Sequence, residues 1–229
     1  MFQPVRIAPS ILSADFMNLE RDIRMIERGG AGYVHVDVMD GHFVPNLTIG
    51  VPHVKHLSRI TDLPLDVHLM IENPLEHLPW FIEAGANMIT VHAETLEGQW
   101  LDRAIALIHD GGAQACVALK PHTPAEVVAP RIASLDMVLV MSVEPGFSGQ
   151  GYIEGSENKV ARVAELAREV GNEDLLIEVD GGIGLKTAGL VTAAGADVLV
   201  CGNAVFAAED PEAAIGAIKS VGDKARIEA

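Results

Sequence analysis

Short apolar runs recur along this chain at intervals of about 20 to 35 residues, each followed by turn residues and then by a longer amphipathic segment. This rhythm narrows the fold more than any other feature, because alternating strands and helices build a parallel sheet whose faces are covered by the helices. The runs predict strands at 5–8, 33–38, 65–70, 88–92, 115–119, 137–141, 176–179 and 198–201. Helical spacing appears between them, in Leu19, Ile23 and Ile26, in Leu101, Ile105 and Ile108, and in Val160, Val163, Ala164 and Ala167. Three near-repeats, GGAGYVHVD, EAGANMITVH and AAGADVLVCG, each place a glycine–alanine step between a helix and the next strand. Eight βα units in 229 residues favour an α/β fold closed as a (β/α)8 TIM barrel in one domain spanning 1–229, over a flavodoxin-like open sheet with extra strands. The stretch after Lys219, SVGDKARIEA, has the composition of a loosely held terminus.

Composition agrees with a parallel sheet. Hydrophobic residues make up 49% and aromatics only 4%, so Val, Ile, Leu and Ala must fill the core. Asp and Glu number 32 against 16 for Lys and Arg, and a net charge of −16 argues against nucleic acid or an anionic membrane surface as partner. An anionic ligand would need a site built from backbone amides. Cys116 and Cys201, each inside an apolar run, read as buried thiols in a reducing compartment. No signal peptide and no run long enough to span a membrane appear, so a cytoplasmic location is expected.

In barrels of this kind chemistry gathers at the C-terminal ends of the strands, and the polar residues here collect there. His35 and Asp37 lie two apart on the second strand and share a face; the third strand carries His68 and the seventh runs into Asp180. Two imidazoles and two carboxylates suit one divalent Zn, Fe, Mn or Co ion better than Mg or Ca. Asp66 and Glu178 point inward one layer deeper, either receiving a hydrogen from a ligating imidazole or forming an interior polar pair. His92, at the end of the fourth strand, reads as a hydrogen-bonded lining residue rather than a ligand. Met39, Met70 and Met141 at the rim are core fillers or a soft apolar collar over a metal, where substrate would bind and water be excluded. Glycine-rich loops follow strands 6, 7 and 8: SVEPGFSGQG with Gly146, Phe147, Ser148 and Gly149, DGGIG with Gly181 and Gly182, and CGN with Gly202 and Asn203. Two of these stand where barrels often seat a phosphate. Glu165, Glu169 and Glu173 read as a solvated helix surface.

These motifs, APSILSADF, HVDVMDGHFVPNLTIG, DVHLMI, VEPGFSGQ, EVDGGI and CGNAVF, resemble the ribulose-phosphate 3-epimerase family, in order and over nearly the whole chain. The resemblance implies a ribulose-phosphate-binding barrel with one divalent metal per subunit on His35, Asp37, His68 and Asp180. It makes Asp37 and Asp180 the acid/base pair, Ser10 a substrate-binding serine with His68 beside it, and the loops at Gly146–149, Gly182, Gly202 and Asn203 the phosphate site. The implied partner is a small phosphorylated ketose, the implied assembly a homo-oligomer.

Some residues depart from the family pattern. Lys120 stands where asparagine is common, His122 follows it, Ser148 replaces glycine, and Asn203 stands where serine is frequent. These leave the chemistry intact but admit a six-carbon sugar such as allulose 6-phosphate in place of ribulose 5-phosphate. Lys120 also admits a Schiff-base aldolase, though such an enzyme has no use for four converging metal ligands. A catalytically silent phosphosugar-binding barrel is a third reading, disfavoured by the presence of both carboxylates.

Overall fold

A computed structural model describes residues 3–229. Eight parallel strands form one sheet: β1 (Arg6–Pro9), β2 (Val34–Met39), β3 (Leu65–Met70), β4 (Met88–His92), β5 (Gln114–Leu119), β6 (Met137–Met141), β7 (Leu176–Asp180) and β8 (Val198–Cys201). Each runs beside its sequence neighbour, β1 pairs with β8, and a single parallel bridge between Ser10 and His35 joins β1 to β2 and closes the barrel. The expected strands are all present, with ends shifted by at most one residue.

Strand alternation divides the chain's apolar residues between two cores. Val34, Val36 and Val38 of β2 and Val67 and Leu69 of β3 face outward into the layer between sheet and helices. Ala8, Met88, Cys116, Met137, Val198 and Val200 fill the lower barrel interior. Both cysteines are buried and free. The helices are α1 (Leu19–Arg28), α2 (Val51–Ile60), α3 (Pro74–Glu83), α4 (Gln99–Asp110), α5 (Ser156–Val170), α6 (Ala188–Ala193), α7 (Asn203–Phe206) and α8 (Pro211–Glu228). None of them is long and apolar enough to cross a membrane.

Two expectations need correction. No α-helix joins β5 to β6; two single 3-10 turns at Ala125–Val127 and Ile132–Ser134 take its place. Pro121, Pro124 and Pro130 each remove an amide donor from that connection and break the helical ladder. The C-terminal stretch is not loose either, because α8 continues through it to Glu228. Asp223 accepts the Val5 amide at 2.8 Å, and Arg226 reaches the Gln3 carbonyl at 2.9 Å, the Ala196 carbonyl, and Asp197 at 2.9 Å. The last two turns of α8 therefore clamp the start of β1 to the loop before β8. Arg226→Ala is expected to cost about 2 kcal/mol, the scale of a charged hydrogen bond in a partly buried site. At about 2–4 °C per kcal/mol for a chain this size, a thermal scan should show the midpoint lower by about 4–8 °C.

Candidate active site

Parallel register turns three period-2 patterns into three facing pairs: His35 lies beside Asp66, Asp37 beside His68, and Met39 beside Met70. Asp180 enters from β7 as the neighbour of Met141. Among the described residues, His35, Asp37, His68 and Asp180 form a group whose ligand atoms lie within 4.8 Å of one another. His35 Nε2 is 3.4 Å from Asp37 Oδ1, His68 Nδ1 is 3.2 Å from that same oxygen, and Asp180 Oδ2 is 4.0 Å from His68 Nδ1. Ser10 donates its hydroxyl to the other Asp37 oxygen at 2.5 Å, so Oδ1 is left to face the imidazoles.

The fit to a divalent ion can be judged from the orphaned atoms. His35 Nε2 is buried, points into the group and has no hydrogen-bond partner. Burying an unpaired polar atom costs about 1–3 kcal/mol, and a ligand set with mixed nitrogen and oxygen donors gives that lone pair a use. The ring is held from behind, where Nδ1 meets Asp66 Oδ2 at 2.5 Å and Glu178 Oε1 at 3.7 Å. The residues fit the ion.

Electrostatics separates the two rim carboxylates. Burial pushes the Asp37 carboxyl up, but the His35 and His68 imidazoles outweigh it and hold the group well below the carboxylate range. Asp180 is raised to about 6 by burial and then by the negative charge of Asp37, against the pull of the same imidazoles. Asp37 is thus held ionised, and Asp180 is the carboxylate of the pair that titrates closer to neutrality.

Both carboxylates line a cavity of about 630 Å³, together with Ser10, Met39, Met70 and Met141. Gly146, Phe147, Ser148, Gly149, Gly181, Gly182, Gly202 and Asn203 line it too. Gly182 has φ +64°, and a Cβ there would run into the Tyr152 backbone, so only glycine fits this turn. Ser148 hydrogen-bonds Ser13 at 2.6 Å and Asn203 at 3.3 Å, tying the loop after β6 to those after β1 and β8. Sequence reasoning missed Lys186 and Tyr152, which also line the cavity. A cation two residues beyond the DGGIG loop was the available signal for Lys186.

Lys120 and His122 do not line this cavity. The Lys120 ammonium sits 3.9 Å above the Phe43 ring, and its amide donates to Glu94 at 2.8 Å. His122 is exposed on the surface, 3.6 Å from Glu144. Of the four departures from the family pattern, only Ser148 and Asn203 reach the ligand space.

Comparison with known proteins agrees with this geometry. The sequence profile described as the Ribulose-phosphate 3 epimerase family matches residues 6–206. A ribulose-phosphate 3-epimerase of Bacillus subtilis is 50% identical over 94% of this chain and 98% of its own length. The chloroplastic ribulose-5-phosphate-3-epimerase of Arabidopsis thaliana is 45% identical over 93% of this chain and 76% of its own. Among solved structures, KGPDC from Streptococcus mutans superposes with a TM-score of 0.73 at 13% identity, covering 97% of this chain and 99% of that one. Thiamine phosphate pyrophosphorylase from Pyrococcus furiosus gives 0.67 at 13% identity over 96% of each chain. Those distant structures establish the barrel alone. The profile, which runs from the first strand to beyond the last, and the high identity to the Bacillus protein show that this chain belongs to the ribulose-phosphate 3-epimerase family.

Proposed function

We propose that this enzyme interconverts D-ribulose 5-phosphate and D-xylulose 5-phosphate, with Asp37 and Asp180 exchanging the C3 proton on opposite faces of the sugar. The observation that carries the reading is the pair itself: two carboxylates lining one cavity, Asp37 buried and Asp180 partly buried, from β2 and β7 of the barrel, with their proton affinities pushed apart. Inverting a carbon beside a ketone requires a base on one face and an acid on the other. In one direction Asp37 takes the proton and Asp180 delivers one; in the other direction the roles exchange. Ser10 fixes the Asp37 carboxylate through its 2.5 Å hydrogen bond. Met39, Met70 and Met141 close an apolar collar over the reacting carbon and exclude water from it.

His35, Asp37, His68 and Asp180 would hold one divalent ion, with Zn, Fe, Mn and Co all suited to the donor set. Bound there, the ion supplies a Lewis acid that polarises the ketone and stabilises negative charge on its oxygen. The amides of the loops at Gly146–149, Gly181, Gly182, Gly202 and Asn203 would receive the phosphate, with Lys186 as the cation at that end. With Lys120 and His122 outside the cavity, the main reason to prefer a six-carbon sugar falls away, and so does the Schiff-base reaction.

NMR of ribulose 5-phosphate in D₂O with the purified enzyme tests the reading. Xylulose 5-phosphate should appear with deuterium at C3, the activity should vanish after chelation, and added metal should restore it. Turnover of the sugar with no deuterium at C3 would overturn the two-carboxylate exchange, in which the proton delivered comes from a second group open to solvent exchange.

A further inference from the structure

His92 lies outside the ligand group, yet its ring stacks on His68 at 5.0 Å between centroids and its Nε2 is 2.9 Å from His68 Nε2. Two ring nitrogens at that distance share one hydrogen, so one ring must donate and the other accept. The next contact decides which. His92 Nδ1 is 3.0 Å from Glu94 Oε2, and a carboxylate only accepts, so His92 carries its hydrogen on Nδ1. In a neutral imidazole with its hydrogen on Nδ1 the other nitrogen is an acceptor, so His92 Nε2 is bare. His68 must then donate from Nε2, which leaves His68 Nδ1 as a free lone pair facing Asp37 and Asp180. We propose that Glu94 and His92 form a positioning relay that sets the tautomer of His68 and so makes its Nδ1 a metal ligand.

The relay matters because the competing tautomer has its own attraction. Asp37 Oδ1 lies 3.2 Å from His68 Nδ1 and would accept a hydrogen from it, blocking the ligand position. Glu94 is itself fixed on both oxygens. While Oε2 holds His92, Oε1 accepts the Lys120 amide at 2.8 Å and the Thr123 hydroxyl. Lys159 in turn binds the carbonyls of Lys120 and Pro121, each at 2.8 Å, which pins the loop that carries those donors. Phe43 covers the remaining side of His92 with centroids 4.7 Å apart. The unusual loop around Lys120 is thereby given a place: its backbone buttresses the relay from outside the substrate cavity. His92 and Glu94 touch neither the cavity nor the ligand atoms directly; they act through His68.

This inference rests on His68 being a metal ligand, and the test separates the two. Chelator-treated protein with ¹⁵N-labelled histidine should show His68 protonated at Nε2 and bare at Nδ1, a readout that needs no metal and no activity. His92→Phe keeps an aromatic ring but cannot accept a hydrogen bond. It should move the His68 proton to Nδ1 and weaken cobalt binding, measured against a competing chelator, by about 10- to 100-fold. His92→Gln can offer an acceptor oxygen and should restore both. A parent protein with His68 protonated at Nδ1 would overturn the proposal whether or not the variants fold. So would His92→Phe with unchanged tautomer and cobalt affinity. The expected tautomer in a parent that binds no cobalt would keep the relay and discard the metal centre.

Discussion

Asp180→Asn should lower epimerisation by about 10²- to 10⁴-fold, the usual contribution of a positioned acid or base, and Asp37→Asn should lower it by as much. The argument comes from the separation of the two groups. Asp37 is held low because His35 and His68 outweigh its burial, and Asp180 is raised to about 6 because burial and the Asp37 charge outweigh the imidazoles. Asparagine keeps the shape at either position and removes the proton acceptor. Each variant retains one carboxylate, on one face of the sugar. Residual exchange of the C3 proton with D₂O should therefore survive in one epimer only, and in the opposite epimer for the two variants. Metal content measured on the same samples separates lost proton transfer from a lost ligand. Turnover within about tenfold of the parent in either variant, with metal retained, would assign the proton transfer to another group.

The strands and the four metal-capable residues were legible because both depend on period-2 alternation, which the residues carry individually. Apolar runs fixed where β2, β3 and β7 lie, and alternation put His35, Asp37, His68 and Asp180 on the inner face at one rim. The same logic placed Asp66 and Glu178 one layer deeper, where Asp66 does hold the back of His35. Register is another matter, since it belongs to pairs of strands. That His68 and His92 meet through their Nε2 atoms depends on the β3–β4 pairing, in which His68 lies opposite Thr90, and on two ring rotations. No single stretch of sequence encodes it. The connection between β5 and β6 was misread because the βα rhythm was extended across three prolines that forbid the helix. The C-terminal turns were misread because their polar residues suit solvent as well as they suit Asp223 and Arg226 in long-range hydrogen bonds.

The deep layer beneath the rim should show the largest stability contrast in the molecule. His35, Asp66 and Glu178 are all buried there, but they are not equivalent. Asp66 accepts the His35 Nδ1 hydrogen at 2.5 Å, whereas neither oxygen of Glu178 has a hydrogen-bond partner. Burial, reinforced by the Asp66 charge, raises Glu178 well above its ordinary value, so it stands in the fold as a neutral acid. With no ion on Nε2, burial pulls the His35 imidazole down, but the Asp66 and Asp37 charges outweigh it and raise it well above its ordinary value. Asp66→Ala would strand that ring without its partner. The cost of breaking a buried pair is about 3–5 kcal/mol, which at about 2–4 °C per kcal/mol lowers the thermal midpoint by about 6–20 °C. Glu178→Gln exchanges one neutral group for another of nearly the same shape, and the midpoint should stay within about 2 °C of the parent, less than 1 kcal/mol on that scale. Thermal unfolding of both variants after chelator treatment makes the comparison. If Glu178→Gln fell as far as Asp66→Ala, Glu178 would have to be ionised and paired with His35, and the two acids would share the support of that ring.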